Sequence, residues 1–158
     1  LAGIDFARAR VLGLLGAIEK SGHAPAALAW RPGPGRAHIA WQAMHLAATT
    51  DRYMNVRLKG GTETDADLVA RYGGGSTPSD EGIPSLEQIR STLELHYNAF
   101  RQYVAGLSGA EFDRVLDFPN NVKRSLGESI VLLTWHEGHH QGQIHLTWNL
   151  YKAAHGLT

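Results

Sequence analysis

At 158 residues the chain is long enough to bury a core without disulfides or a structural metal, and one domain spanning 1–158 is expected. Fifteen Lys and Arg balance fifteen Asp and Glu, so no long-range positive field draws nucleic acid or an anionic membrane, and neither is expected as a partner. The absence of cysteine excludes disulfides, thiolate zinc sites and a cysteine nucleophile, which leaves only nitrogen and oxygen ligands for any metal.

No apolar run approaches the ~20 residues of a membrane span, and the N-terminus lacks a basic-then-apolar secretory pattern, so a cytoplasmic location is the expectation. The chain opens on Leu1 rather than Met, and a few native residues are expected to precede it. A first helix is predicted from Ile4 to Ser21, with Ile4, Val11, Leu14, Leu15 and Ile18 on one stripe and Gly22 as its stop. Pro25 and the Pro32-Gly33-Pro34-Gly35 turn predict a loop after it. A second helix runs from Arg36 to Leu58, carries His45 near its middle and ends at Gly60-Gly61.

Between Gly60 and Pro84 the sequence is polar and glycine-rich, with one short helical stretch expected around Asp65 to Arg71. Connections this long are uncommon in compact domains, and a crossover along a bundle accounts for one. The third helix opens on a capping box, Ser85-Leu86-Glu87-Gln88, and continues with Leu86, Ile89, Leu93, His96, Phe100, Tyr103 and Leu107 at bundle-seam spacing to Ser108-Gly109. A short helical piece at Glu111 to Leu116 and a Pro119-Asn120-Asn121 turn follow. A second capping box, Ser125-Leu126-Gly127-Glu128, launches a last helix ending at Gly156, roughly 45 Å long at about 1.5 Å per residue. No segment shows the alternation of a half-buried strand, so the expectation is an all-α four-helix bundle with a long crossover between helices 2 and 3.

The last helix contains Trp135-His136-Glu137-Gly138-His139-His140-Gln141-Gly142-Gln143-Ile144-His145, with four of the nine histidines. At about 100° per residue His136 and His140 lie about 40° apart, so both imidazoles project to one side. His145 points about 180° from His136 and is no ligand candidate. A third ligand must come from another helix. If helices 2 and 4 run antiparallel, His45 lies 13 residues before Leu58 while His136 and His140 lie 11 and 15 residues after Ser125, placing all three at one height. Three histidines with an open position suit a catalytic zinc site, or nickel and other first-row metals. His96 reads as a hydrogen-bonded core residue and His139 as a flanking one, while His23, His38 and His155 read as surface or boundary residues. Trp41, Trp135 and Trp148 read as core, or as the lining of a pocket or face.

His136, Glu137 and His140 also spell H-E-x-x-H, with Glu137 as the would-be general base of a metallopeptidase. A metzincin needs Gly at 143 and His at 146, where this chain has Gln143 and Leu146. No acidic residue follows Glu137 to act as a thermolysin-type ligand, and no strand is expected on which a peptide would align. The metallopeptidase reading is rejected, and Glu137, about 100° from His136, reads as a surface or supporting charge.

The segment His45-Leu46-Ala47-Ala48-Thr49-Thr50-Asp51-Arg52-Tyr53, preceded by Pro34-Gly35-Arg36-Ala37-His38-Ile39-Ala40-Trp41, resembles the DinB/YfiT-like superfamily of metalloproteins. So does His136-Glu137-Gly138-His139-His140-Gln141-Gly142-Gln143-Ile144, close to an H-x-x-H-H-R-G-Q-I pattern that departs here at Gln141. The resemblance covers essentially the whole chain. It implies an up-down-down-up four-helix bundle, often a homodimer, with a divalent metal, zinc or nickel, on His45, His136 and His140. Relatives of this kind include thiol S-transferases that use bacillithiol, mycothiol or glutathione. The expected function is therefore a metal-dependent transferase or hydrolase-like enzyme activating a low-molecular-weight thiol toward a small-molecule electrophile, with Arg52, Arg57 and Arg124 as groups for the cofactor's carboxylates. The alternatives are a noncatalytic metal-binding stress-response module and a metal-free bundle with hydrogen-bonded histidines.

Overall fold

The periodic segments resolve into six helices in the computed structural model, which describes residues 1–157. These are α1 (Ala2–Lys20), α2 (Ala24–Ala29), α3 (Ile39–Arg52), α4 (Ala66–Tyr72), α5 (Leu86–Ala105) and α6 (Leu126–Ala154). Two short strands, β1 (Val115–Phe118) and β2 (Val122–Ser125), lie between α5 and α6. The second predicted helix starts later than Arg36, at Ile39, and beyond Arg52 it continues to Leu58 as a π-helix, Tyr53–Leu58.

Side-chain contacts set the helix directions. Arg8 meets Leu93 and Asp5 meets Arg101, so α1 and α5 are antiparallel. Asp51 meets His96, and Tyr103 donates to the Leu58 carbonyl, so α3 and α5 are parallel. Gln42 meets Thr147 and His45 meets His136, so α3 and α6 are antiparallel. The order is up-down-down-up, and two parallel neighbours force the chain to travel back along the bundle between them. That return is the glycine-rich segment carrying α4.

The crossover is tied down by buried groups. The Asp51 carboxylate, fully buried, accepts the amides of Thr64 and Asp65 at 3.0 and 3.2 Å, the Asn55 side-chain amide at 2.7 Å, and the Thr64 hydroxyl. Burial alone pushes its pKa up, but these donors and the neighbouring His96 hold it below the usual value. His38, expected at the surface or boundary, is instead almost completely buried. Its Nδ1 caps α3 by accepting the Trp41 amide at 3.0 Å, which leaves Nε2–H to donate to the Ser79 carbonyl at 2.9 Å.

Three local expectations are corrected. The stretch after α1 is not all loop, because Pro25 sits in the first turn of α2, where its missing N–H costs nothing. The piece at Glu111 to Leu116 is a 3-10 turn, Gly109–Asp113, followed by β1, and the chain is not free of strands. β1 and β2 pair antiparallel with Val115 opposite Ser125, around Asn120 and Asn121, which both hold positive φ as a tight hairpin turn requires. Each strand has four residues and none of them is fully buried, so the pair is too short and too exposed to show the sustained alternation by which strands are read.

The core falls into two apolar clusters. One gathers Val11, Leu15, Ile18, Ala43, Leu93, Ile144 and Trp148; the other gathers Ile4, Met54, Leu58, Phe100, Leu126 and Leu133. Arg8 of α1 adds a polar link inside the bundle, pairing with Glu137 of α6 at 2.7 Å, donating to the Leu93 carbonyl at 3.3 Å and lying over the Tyr97 ring of α5. Glu137 is therefore no surface charge. It is 2% exposed, and while burial pushes its carboxyl up, the guanidinium draws it back. Removing one partner leaves the other charge buried and unpaired, so Glu137→Ala should lower unfolding free energy by about 3–5 kcal/mol in urea denaturation. The apolar double variant Arg8→Met/Glu137→Leu should recover most of that loss.

Candidate metal centre

His45 projects from the middle of α3, and His136 and His140 from adjacent turns of α6, into the seam where the two helices cross. Each histidine offers one ring nitrogen, and all three nitrogens lie within 4.8 Å of one another. His45 and His140 are buried and His136 half-buried. The three residues expected from helical rotation are thus brought together. His145 is exposed, and His96 is a buried neighbour of Asp51. His139 is exposed, stacked on Trp135 and bonded to Gln143 at 2.8 Å, outside the cluster.

The orientation of His45 comes from the crossover. Its Nδ1–H donates to the Tyr72 carbonyl at the end of α4, at 2.6 Å, which leaves Nε2 as a lone pair facing α6. Trp41, one turn earlier, stacks on the ring at 4.7 Å and 9°. Gly73 lets the chain leave Tyr72 in this pose, because a Cβ there would sit 2.4 Å from the Val69 carbonyl. Nothing local in the sequence signals Tyr72, since a backbone carbonyl contributes no residue-type pattern.

His45 Nε2 and His136 Nε2 stand 3.2 Å apart. Two nitrogens at about 2.0–2.1 Å from one tetrahedral zinc would lie about 3.3–3.4 Å apart, so the spacing fits shared coordination. His140 Nδ1 is buried without a hydrogen-bond partner, a further sign of a group suited to a cation. A helix-bound ring whose other nitrogen is fixed by a carbonyl, as His45 is, matches the usual support of a metal-ligating histidine.

Burial, reinforced by mutual repulsion among the imidazoles, lowers His136 to about 4 and His140 to about 3, and burial also lowers His45. At neutral pH all three therefore keep the lone pairs that a cation needs. A cleft of about 350 Å³ opens beside them, lined by His45, Thr49, Arg52, Tyr53, Arg57 and His136 with Gly73 and Gly74 as one wall. Thr49 Oγ1 lies 3.4 Å from His45 Nε2. Larger depressions of about 560 and 600 Å³ lie elsewhere and are lined by none of the three histidines.

The depressed values have a consequence for metal-free protein. In the unfolded chain these histidines take up protons near pH 6.5, while in the folded chain His136 and His140 resist until about 4 and 3. The unfolded state binds more protons across that interval, so stability falls as pH drops below about 6.5. Thermal melts of chelated protein should show that decline between pH 7 and pH 5, and a His136→Gln/His140→Gln variant should flatten it.

Comparisons with known proteins agree with this architecture. The crystal structure of a conserved protein from Enterococcus faecalis is similar to the fold, with a TM-score of 0.76 and 15% sequence identity over 94% of this chain and 92% of that one. No curated protein matches the sequence. The sequence pattern of the DinB superfamily matches residues 4–144, which include α3, the crossover and both α6 histidines. The chain belongs to the DinB superfamily.

Proposed function

We propose that the protein is a metal-dependent enzyme that holds one divalent cation, zinc or nickel, on His45, His136 and His140, and activates a low-molecular-weight thiol for transfer to a small electrophile. The observation that carries the reading is the three-histidine cluster opening onto a cleft: three nitrogens within 4.8 Å of one another, with room beside them for a ligand. When bound, a metal of this kind lowers the pKa of a water or thiol on its open position toward neutrality.

The chain's own groups have defined parts in this reading. Tyr72 and Trp41 hold the His45 ring, the Arg8–Glu137 pair sets the rotation of α6, and Thr49 offers a hydroxyl at the rim. Self-association is part of the same reading. Val131, Trp135, Leu146 and Leu150 are exposed along one side of α6, within an arc of about 100°, and supply an apolar face for a homodimer. No helix is long and apolar enough to cross a membrane.

Chelated protein titrated with zinc or nickel should take up one ion per chain. Alanine at His45, His136 or His140 should each weaken uptake by more than about a hundredfold. Cobalt-loaded protein should gain a sulfur-to-metal charge-transfer band with glutathione, bacillithiol or mycothiol, and conjugate one of them to an electrophile. Metal uptake with no thiol response would favour the noncatalytic metal-binding module. Sedimentation should show a dimer that Trp135→Glu converts to monomer.

A further inference from the structure

The cleft beside the three histidines carries positive charge and no negative charge in its walls. Arg52 and Arg57 line it, and none of the residues that line it with them is acidic. Arg52 is half-exposed and makes a loose 3.5 Å contact with Glu63 at its outer edge. Arg57 is half-buried, and among the described residues no carboxylate pairs with it. The Tyr53 hydroxyl is buried, and the charges of Arg124 and Arg57 act on it. Half-buried guanidinium groups are usually paired; Arg57 instead lines the cleft.

The winding of the helix places these groups. His45, Thr49, Arg52 and Tyr53 share one face of α3, at about 0°, 40°, 340° and 80° around its axis. On an unbroken α-helix Arg57 would fall at about 120°, off the edge of that face. The π-helical stretch from Tyr53 to Leu58 hydrogen-bonds five residues apart, as in Lys59 N–H to the Met54 carbonyl at 3.0 Å. Its wider turn advances each residue by roughly 80° and returns Arg57 to about 40°, in line with Thr49. The change of winding thus delivers a second cation to the cleft.

We infer that the cleft selects ligands bearing an oxyanion, a carboxylate or a phosphate, held by Arg52 and Arg57 while the other end of the molecule reaches the three-histidine centre. Guanidinium forks match both groups bidentately. Arg52 and Arg57 lie about 10 and 18 Å from His45 along the axis, and side chains on a helix lean toward its N-terminus, here toward His45, so an anion and a metal-binding atom would be separated by on the order of 10 Å. This assignment rests on reading His45, His136 and His140 as a metal centre, and it narrows the ligand of that centre to anionic molecules.

The test uses cobalt-loaded full-length protein and two probes of equal length, 6-mercaptohexanoate and the neutral 6-mercaptohexanol, read by the sulfur-to-cobalt band. The carboxylate probe should bind at least about tenfold more tightly, the scale of one charge-assisted hydrogen bond. In Arg57→Gln and Arg52→Gln that preference should shrink toward unity, with cobalt content and mercaptohexanol affinity unchanged. Equal affinity of the two probes for the wild type would overturn the inference and leave the metal–thiol reading intact. If neither thiol produces the band, that reading fails instead. The cleft is then scored by calorimetry with hexanoate and monohexyl phosphate, which carry the anion without sulfur. Binding that Arg57→Gln abolishes upholds the inference, and the tighter of the two names the oxyanion. Absence of binding, or binding unaffected by the substitution, overturns it.

Discussion

The rotation of α6 about its own axis is the constraint on which the site depends. Neighbouring residues on a helix point about 100° apart, so a single setting must serve several partners at once. His136 and His140 have to face α3 to meet His45, and Glu137, between them in sequence, must then face α1. Arg8 satisfies this, buried against Glu137 and tied to α5 through the Leu93 carbonyl. A helix rotated by one residue would leave two buried charges unpaired and send the imidazoles into apolar packing. The ion pair and the histidine cluster are two readings of one geometric condition.

The crossover contributes in a similar way. Its length follows from topology, since α3 and α5 run in the same direction and the chain must return between them. Its path is then put to use. Asp51 fixes one end by accepting the Thr64 and Asp65 amides, and His38 and Arg31 hold its later part at Ser79 and Pro78. Between these anchors α4 presents the Tyr72 carbonyl to His45 and leaves Gly73 and Gly74 as a cleft wall. A segment that reads as polar linker therefore orients one member of the site and shapes the space in front of it.

A short patch of π-helix has an analogous effect on charge. It carries the last turn of the second long helix off the α period and swings Arg57 toward the histidines. The His45 imidazole, two guanidinium groups and a buried phenol lie within a few turns of one helix, opposite His136 of α6. Around this site α3 is packed by α4, α5 and α6.

How much of this was legible in the residues can be followed position by position. The 3-4 spacing of Ile89, Leu93, His96 and Phe100, and the capping boxes at Ser85 and Ser125, determined the long helices, because helix periodicity and end-capping are local properties. The i, i+4 pair His136 and His140 was legible for the same reason, and the register of His45 followed from counting along two antiparallel helices. The turn at Asn120 and Asn121 was legible too, but the strands on either side of it were not, because they are four residues long and largely exposed. Nor was the burial of Glu137, Arg8 and His38, whose polar side chains read as surface until their partners are known. Those partners, a guanidinium 129 residues from Glu137, a carbonyl at Leu93 for Arg8 and another at Ser79 for His38, are brought near only by packing. Sequence alone thus determined which residues share a face, and tertiary structure decided what each face meets, because burial and charge pairing depend on neighbours that no local pattern names.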